Sequence, residues 1–343
     1  MRMTPSFAQR LVAWQTLHGR HDLPWQASAD PYRVWLSEIM LQQTQVVTVM
    51  GYYHKFLARF PTVIHLAQAH LDEVLGLWSG LGYYSRARHL HRCAQMVAVQ
   101  HGGAFPSNKA ALQQLPGIGP STAAAIASLC FGHREAILDG NVKRVLTRVF
   151  GFGHDVSLAI HEKALWQLAQ SVLPLYESDM PRYTQGMMDL GATLCTRSQP
   201  ACERCPMQDC CVAYQEGQPK HYPVKTRKVK RSAQALWLLF ARSADGAVWL
   251  AQRPPKGVWA SLFTFPIFDS EEALMASLPE PLQPKLQLAP AFVHVLTHKD
   301  LHLHVAHLAL SKAQPLDGAG QWWAAKDWPK LGLPAPVRQL LTA

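Results

Sequence analysis

Four cysteines lie close together in one stretch, Cys195, Cys202, Cys205 and Cys211, spaced C-x6-C-x2-C-x5-C. Four thiolates in a short loop can hold zinc or an iron–sulfur cluster. Structural zinc sites usually pair two tight knuckles, and only Cys202 and Cys205 form a tight pair here. Wide-set sulfurs around one close pair suit the larger cubane better, so a 4Fe–4S cluster is expected over residues 195–211. Unliganded thiols fit poorly. Thr196, Arg197, Gln199, Pro200, Glu203 and Arg204 make the loop polar, whereas free cysteines favour apolar runs such as those around Cys93 and Cys130. Cys210 breaks the spacing and is read as a bystander.

Two further features have the types and spacing for chemistry. Leu115-Pro116-Gly117-Ile118-Gly119-Pro120 joins two short helical patterns, and Gly117 and Gly119 permit a tight turn with close backbone approach. The second helix then opens with unpaired N–H groups that can cradle a phosphate, although an ordinary helix–helix turn can be written the same way. Asp139 follows the apolar run Ala136-Ile137-Leu138 and precedes Gly140-Asn141-Val142-Lys143-Arg144. By type and position it is a helix N-cap, a role compatible with a carboxylate kept charged for catalysis.

The elements that must position these residues fall into two parts. Up to about Val224 the pattern is helical. Asp30-Pro31 is an N-cap followed by proline at the first helical position, and Trp35, Ile39, Val46, Val49 and Met50 predict one helix running on from there. Similar spacing predicts helices over Leu71 to Trp78, Ser85 to Val99, Lys109 to Leu115, Pro120 to Cys130 and Ala164 to Leu173. Lys220 to Arg231 carries six Lys and Arg and no acid, which reads as a linker that could also contact phosphates. Beyond it the period becomes two. Ala235 to Arg242, Ala247 to Arg253, Phe292 to Thr297 and Leu301 to Leu310 read as strands, with helices over Glu271 to Leu278 and Pro336 to Leu341. The expected fold is therefore multidomain: all-α over 1–224, a basic linker over 225–232, and α+β over 233–343.

The charge divides the same way. Residues 1–231 hold 24 Lys and Arg against 15 Asp and Glu, while 232–343 hold 9 against 8. A basic first part suits a polyanionic partner, or is simply a basic solvated surface. No charged n-region followed by an apolar h-region opens the chain, and no apolar run is long enough to span a bilayer. A soluble protein of the cytoplasm is expected, with no membrane partner, where thiols stay reduced and the seven cysteines need an explanation other than disulfides.

Leu115 to Ala123, Asp139 and the four-cysteine loop, in this order and at these separations, resemble the helix-hairpin-helix glycosylases of the endonuclease III superfamily over roughly residues 5 to 224. Two features resemble, within it, the MutY family of adenine DNA glycosylases. In Trp35-Leu36-Ser37-Glu38-Ile39-Met40-Leu41-Gln42-Gln43-Thr44, Glu38 sits on an otherwise apolar face. Taken alone it would be an exposed or ion-paired helix glutamate. The resemblance makes it the acid that protonates adenine N7, and partial burial would raise its pKa as that role needs. Ser121 stands where bifunctional members carry the lysine that attacks the sugar, and a serine cannot form a Schiff base.

The resemblance implies further roles. Gly80-Leu81-Gly82-Tyr83-Tyr84-Ser85-Arg86-Ala87-Arg88 resembles the segment that wedges into the duplex, with Tyr83 as the wedge and Gln43 as the glutamine inserted into the stack. Gly117, Gly119, Ser121, Arg86 and Arg88 are expected DNA contacts; Arg86, Arg88 and Arg92 share a helical face that would otherwise be merely solvated. Trp25 in Leu23-Pro24-Trp25 resembles part of the adenine pocket wall, where core packing is the plainer alternative. Arg253 to Pro266 resembles the Nudix-like domain that reads 8-oxoguanine, with Thr297 and His298 as recognition residues and Leu296 where the family often has an aromatic. Only Glu271 and Glu272 follow where a magnesium-binding Nudix helix would carry more glutamates, so no pyrophosphohydrolase activity is expected.

The resemblance implies a monofunctional DNA glycosylase. It would act as a monomer (at the nucleoid, if bacterial) on duplex DNA holding adenine opposite 8-oxoguanine or guanine, and would leave an abasic site. Asp139 would stabilise positive charge on the sugar. The alternatives are a bifunctional endonuclease III-like glycosylase/lyase, disfavoured by Ser121 and the second domain, and a non-catalytic damage sensor or iron–sulfur electron-transfer protein, which would have no use for Glu38 and Asp139 together. Histidines 294, 298, 302, 304 and 307 suggest a metal site only weakly, since His302 and His304 fit the polar face of a strand.

Overall fold

The computed structural model describes residues 5–227 and 230–342. Residues 1–4, 228, 229 and 343, which fall within the two expected domains and the linker, lie outside the described residues. Among those described, two compact units form. One gathers residues 5–53, 62–64 and 92–227; the other gathers 54–61, 65–91 and 230–342.

The first unit is helical. Asp30 caps the helix Pro31–Leu41 by accepting from Tyr32 N at 3.0 Å, with Pro31 at the first position. This helix was expected to run on through Met50 and does not. Gln42 turns to φ −58° and ψ 108°, Gln43 takes φ 61°, and a new helix, Val46–Arg59, begins. The apolar spacing resumes almost in register after the break, and no glycine or proline marks it. A glutamine at positive φ is uncommon and points to a use for the kink.

The predicted helical hairpin is present. Asn108 caps Lys109–Leu112 through Ala111 N at 2.8 Å, and this helix ends three residues earlier than the spacing predicted. Gly117 follows at φ 78°, and Pro120–Phe131 starts from Gly119 with no side-chain cap. Ala123, Ala124, Ala125, Ile126 and Ala127 are fully buried, so this helix packs closely through small side chains. It shares a core with Ile137, Leu138, Val142, Val145 and Leu146, and with Met187 and Leu190 of the helix Met180–Thr193. Burying each large aliphatic side chain contributes roughly 1.5–3 kcal/mol. The start of the basic segment is tied down in this unit: Val156 N donates to Val224 O at 3.1 Å, and Thr226 donates to the Asp155 carboxylate.

The second unit is built on a sheet. Its strands are β1 (Ser232–Ser243), β2 (Val248–Gln252), β3 (Phe263–Thr264), β4 (Ile267–Phe268), β5 (Gln287–Leu288), β6 (Phe292–Val295), β7 (Lys299–Leu310) and β8 (Gln321–Trp323). The order is β3-β2-β1-β7-β5, with β4 on β1, β6 on β7 and β8 on β2. The two long strands β1 and β7 are parallel, from Ser232 opposite Lys299 to Ser243 opposite Leu310. Alternation gives each face its own core. Leu236, Leu238 and Phe240 meet Leu301, Leu303 and Val305 beneath the helix Ala335–Thr342; Leu239 and Ala241 meet Ala306 and Leu308 beneath Glu271–Ala276. In the same unit the helix Leu71–Trp78 packs on the turn Trp328–Lys330. A Cβ on Gly76 would stand 2.0 Å from Lys330 O, so only glycine allows that approach.

Candidate active site

A cavity of about 1410 Å3 opens in the helical unit, and its lining includes Trp25, Gln26, Glu38, Gln43, Ser121 and Asp139. Trp25, Glu38, Gln43, Ser121 and Asp139 are scattered from 25 to 139 along the chain, and folding gathers them on one surface. Trp25 is buried on the turn Pro24–Gln26 and meets Tyr53 edge-on at 5.4 Å between ring centroids. Gln43 reaches the cavity from the kink described above.

Glu38 projects from Pro31–Leu41 among the buried neighbours Trp35, Leu36 and Ile39 and retains a little exposure through the cavity. Burial, and secondarily the negative charge of Asp139, push its pKa up to about 8. A carboxyl so placed still holds its proton at neutral pH, as a general acid must. Asp139 is exposed at the head of Gly140–Val149, and its Oδ1 accepts from both Asn141 N and Val142 N at 2.8 Å. The N-cap reading is therefore correct, and Oδ2 makes no hydrogen bond among the described residues. Ser121 Oγ accepts from Leu138 N at 3.0 Å, which links the second hairpin helix to the residue before Asp139. Gly117 and Gly119 are exposed at the turn, and a Cβ on Gly119 would meet nothing within 4 Å.

Missed by sequence reasoning is a buried polar bracket beside this cavity. Arg20 Nε donates to Asp189 Oδ1 at 2.7 Å, Arg20 N donates to Oδ2 at 3.0 Å, and Gln185 Nε2 donates to Oδ1 at 2.9 Å. Asp189 lies in mid-helix, where nothing in its spacing distinguishes it from a surface residue.

The second unit brings together two residues read separately. Tyr83, at φ 46° after Gly80 and Gly82, is 44% exposed, and its hydroxyl lies 2.7 Å from Thr297 Oγ1. Thr297 and His298 are both exposed in the turn between β6 and β7, and Arg231 Nη1 donates to Thr297 O at 3.2 Å. Leu296 packs partly against the sheet core. Two basic residues differ from expectation. Arg86, read as a phosphate contact, is buried, donates to Leu81 O at 3.1 Å and Gly82 O at 3.3 Å, and stacks over Trp78 and Tyr83. Arg88 donates to Ala260 O at 2.8 Å and is half-buried. Arg86 braces the Tyr83 loop through its carbonyls, and Arg88 ties its own helix to the Ala260 carbonyl, so neither guanidinium simply presents a basic face to solvent. His304 stacks on Trp237 and His307 leans on Phe240.

Cys195, Cys202, Cys205 and Cys211 line one small pocket with the apolar Val145, Val149, Leu190 and Leu194, while Cys210 is exposed and not part of its lining. Arg148, only 2% exposed, sits beside it, donating to Thr196 O at 2.6 Å, Arg197 O at 3.1 Å and Cys195 Sγ at 3.4 Å. Among the described residues no three or more His, Cys, Asp or Glu side chains are drawn closely enough together for a single metal ion. Four thiols around a common apolar pocket with a buried cation fit a larger thiolate-held group, whose anionic cluster core an arginine would balance.

Residues 36–248 match the HhH-GPD superfamily of base excision DNA repair proteins, and residues 237–343 match a NUDIX domain; the chain belongs to that superfamily and is a DNA glycosylase. It is 36% identical to the adenine DNA glycosylase of Buchnera aphidicola (subsp. Acyrthosiphon pisum) over 98% of this chain and 96% of that one. It is also 36% identical to the adenine DNA glycosylase of Homo sapiens, over 91% of this chain and 68% of that one. Within the superfamily its family is the adenine DNA glycosylases. Among solved structures, a thermostable thymine-DNA glycosylase superposes with a TM-score of 0.56 at 32% identity, covering 61% of this chain and 95% of that one. An endonuclease III–DNA complex superposes at 0.52 and 19% identity over 61% and 94%, a likeness of fold alone. Among the described residues no helix is long and apolar enough to cross a membrane.

Proposed function

We propose that this chain is a monofunctional glycosylase that removes adenine opposite 8-oxoguanine or guanine from duplex DNA and leaves an abasic site. The observation that carries the proposal is the pairing of Glu38, its pKa pushed up to about 8, with Asp139 across one cavity. The hairpin turn Gly117 to Ser121 holds the phosphate backbone through free N–H groups. Tyr83 and Gln43 fill the stack as adenine turns out into the cavity against Trp25. Glu38 gives its proton to N7, so that the base leaves neutral. Asp139, anchored through Oδ1, opposes the positive charge that builds on the sugar, and water completes the substitution. The Tyr83–Thr297 pair, with His298, supports the reading of 8-oxoguanine.

A 4Fe–4S cluster held by Cys195, Cys202, Cys205 and Cys211 would tie residues 195–211 into one folded element. The chain's own part there is to supply four thiolates and the Arg148 cation. We take the protein to act as a monomer in the cytoplasm, at the nucleoid in a bacterium. Strand cleavage of A:8-oxoguanine, A:G and A:C duplexes, with and without alkali, tests the proposal. Breaks that appear only after alkali, fastest for A:8-oxoguanine, are expected; breaks without alkali, accompanied by a borohydride-trapped adduct, would overturn the monofunctional reading.

A further inference from the structure

The basic segment ends on a side chain already engaged within the second unit. Arg231, just before β1, donates from Nη1 to Thr297 O at 3.2 Å and from Nη2 to the Asp300 carboxylate. One guanidinium thus bridges the tip of the turn between β6 and β7 and the start of β7. The backbone adds a third tie, Ser232 N donating to His298 O at 3.1 Å.

This turn does not hold its own shape. The β6–β7 ladder runs to Val295 opposite Asp300, and Leu296 N donates to Lys299 O at 2.8 Å, which leaves Thr297 and His298 at the tip. Two-residue hairpins usually owe their shape to residues at positive φ, whose twist matches that of the strands, and other turns let the strands splay. Neither Thr297 nor His298 is a glycine, and neither has a positive φ. The place of Thr297 therefore depends on what holds it from outside. Asp300 needs a cation as well. It is the only Asp or Glu between Glu280 and Asp317, and uncompensated beside the tip it would repel a phosphate backbone.

We propose that Arg231 is a positioning residue for the reading of 8-oxoguanine: its bridge holds Thr297 where the side chain meets the Tyr83 hydroxyl, 2.7 Å away. This rests on the recognition role given to that turn. The guanidinium acts through the turn and touches no base.

Arg231→Met keeps an unbranched side chain and removes both the charge and the donors. Single-turnover rates at saturating enzyme are measured on A:8-oxoguanine and A:G for wild type, Arg231→Met, Thr297→Val and the double variant, with DNA affinity and melting temperature alongside. Arg231→Met is expected to shrink the preference for A:8-oxoguanine about 3–10-fold, roughly what one or two hydrogen bonds contribute. Its melting temperature should stay unchanged, since an exposed ion pair adds little stability. In the Thr297→Val background the same substitution should alter the preference less than about twofold, because both act on one contact. A preference kept in Arg231→Met, with or without weaker binding of both duplexes, would overturn the assignment and leave a phosphate contact only. Losses that simply multiply in the double variant, or a lowered melting temperature, would overturn it too. A wild type with no preference for A:8-oxoguanine over A:G is a separate failure, that of the underlying reading.

Discussion

The raised pKa of Glu38 favours activity and costs stability, and both decline as pH rises, each in its own window. Burial and Asp139 move the carboxyl from 4.5 to about 8. At pH 7 that keeps about nine-tenths of the molecules protonated, against about 0.3% for an unperturbed glutamate, a gain of roughly 300-fold in competent acid. Single-turnover excision should therefore be flat from pH 6 to 7.5 and fall about tenfold per pH unit above the midpoint near 8. The same shift costs stability. Below the unfolded pKa both states hold the proton and nothing is lost. As pH rises from about 4.5 through 8, the unfolded chain releases a proton that the folded one retains, so stability falls by up to roughly 5 kcal/mol, an upper bound because the cavity admits water. Glu38→Gln removes that penalty. Its melting temperature should match wild type at pH 5 and exceed it by several degrees at pH 8, while excision is lost. A wild-type rate still constant at pH 9.5, or a variant less stable than wild type at pH 8, would refute the reasoning.

Other outcomes follow from the same geometry. Asp139→Asn should lower the Glu38 midpoint, since it removes the second cause of the shift, and should also abolish turnover; a pH profile on a slow residual rate checks the first and adenine release the second. Tyr83→Phe and Thr297→Val each break the 2.7 Å contact and should shrink the preference for A:8-oxoguanine over A:G by about 2–10-fold, measured as a ratio of single-turnover rates. Cys202→Ser should lose iron, brown colour and soluble yield, and Cys210→Ser should lose none of them, as read by iron analysis and absorbance. Ser121→Lys is expected to yield some borohydride-trapped adduct where wild type yields little.

The cap at Asp139 and the grouping of the four cysteines were legible in the sequence because each rests on local spacing, a cap before a helix and four thiols in seventeen residues, whereas Glu38 taken alone read as an exposed or ion-paired helix glutamate. The long strands β1 and β7 were legible because alternation survives burial on both faces. The short β3, β4, β5 and β8 were not, since two or three residues carry no period. The kink at Gln43 was hidden by apolar spacing that resumes after it, and only the backbone reveals it. Arg86 and Arg88 looked like a basic face because periodicity fixes which side a residue occupies but not which carbonyls wait there. The pairing of segment 65–91 with 230–342 arises from contacts far apart in the chain and leaves no local mark.

Adenine release is expected to need a protonated Glu38 and Asp139 together. That requirement is tested most directly by following free adenine released from an A:8-oxoguanine duplex at pH 7 under single-turnover conditions. Wild type, Glu38→Gln and Asp139→Asn are compared at enzyme concentrations that saturate the DNA. Release by wild type and a loss of about 10⁴-fold or more in Glu38→Gln are expected, with DNA affinity nearly unchanged. Release by Glu38→Gln within tenfold of wild type would contradict it.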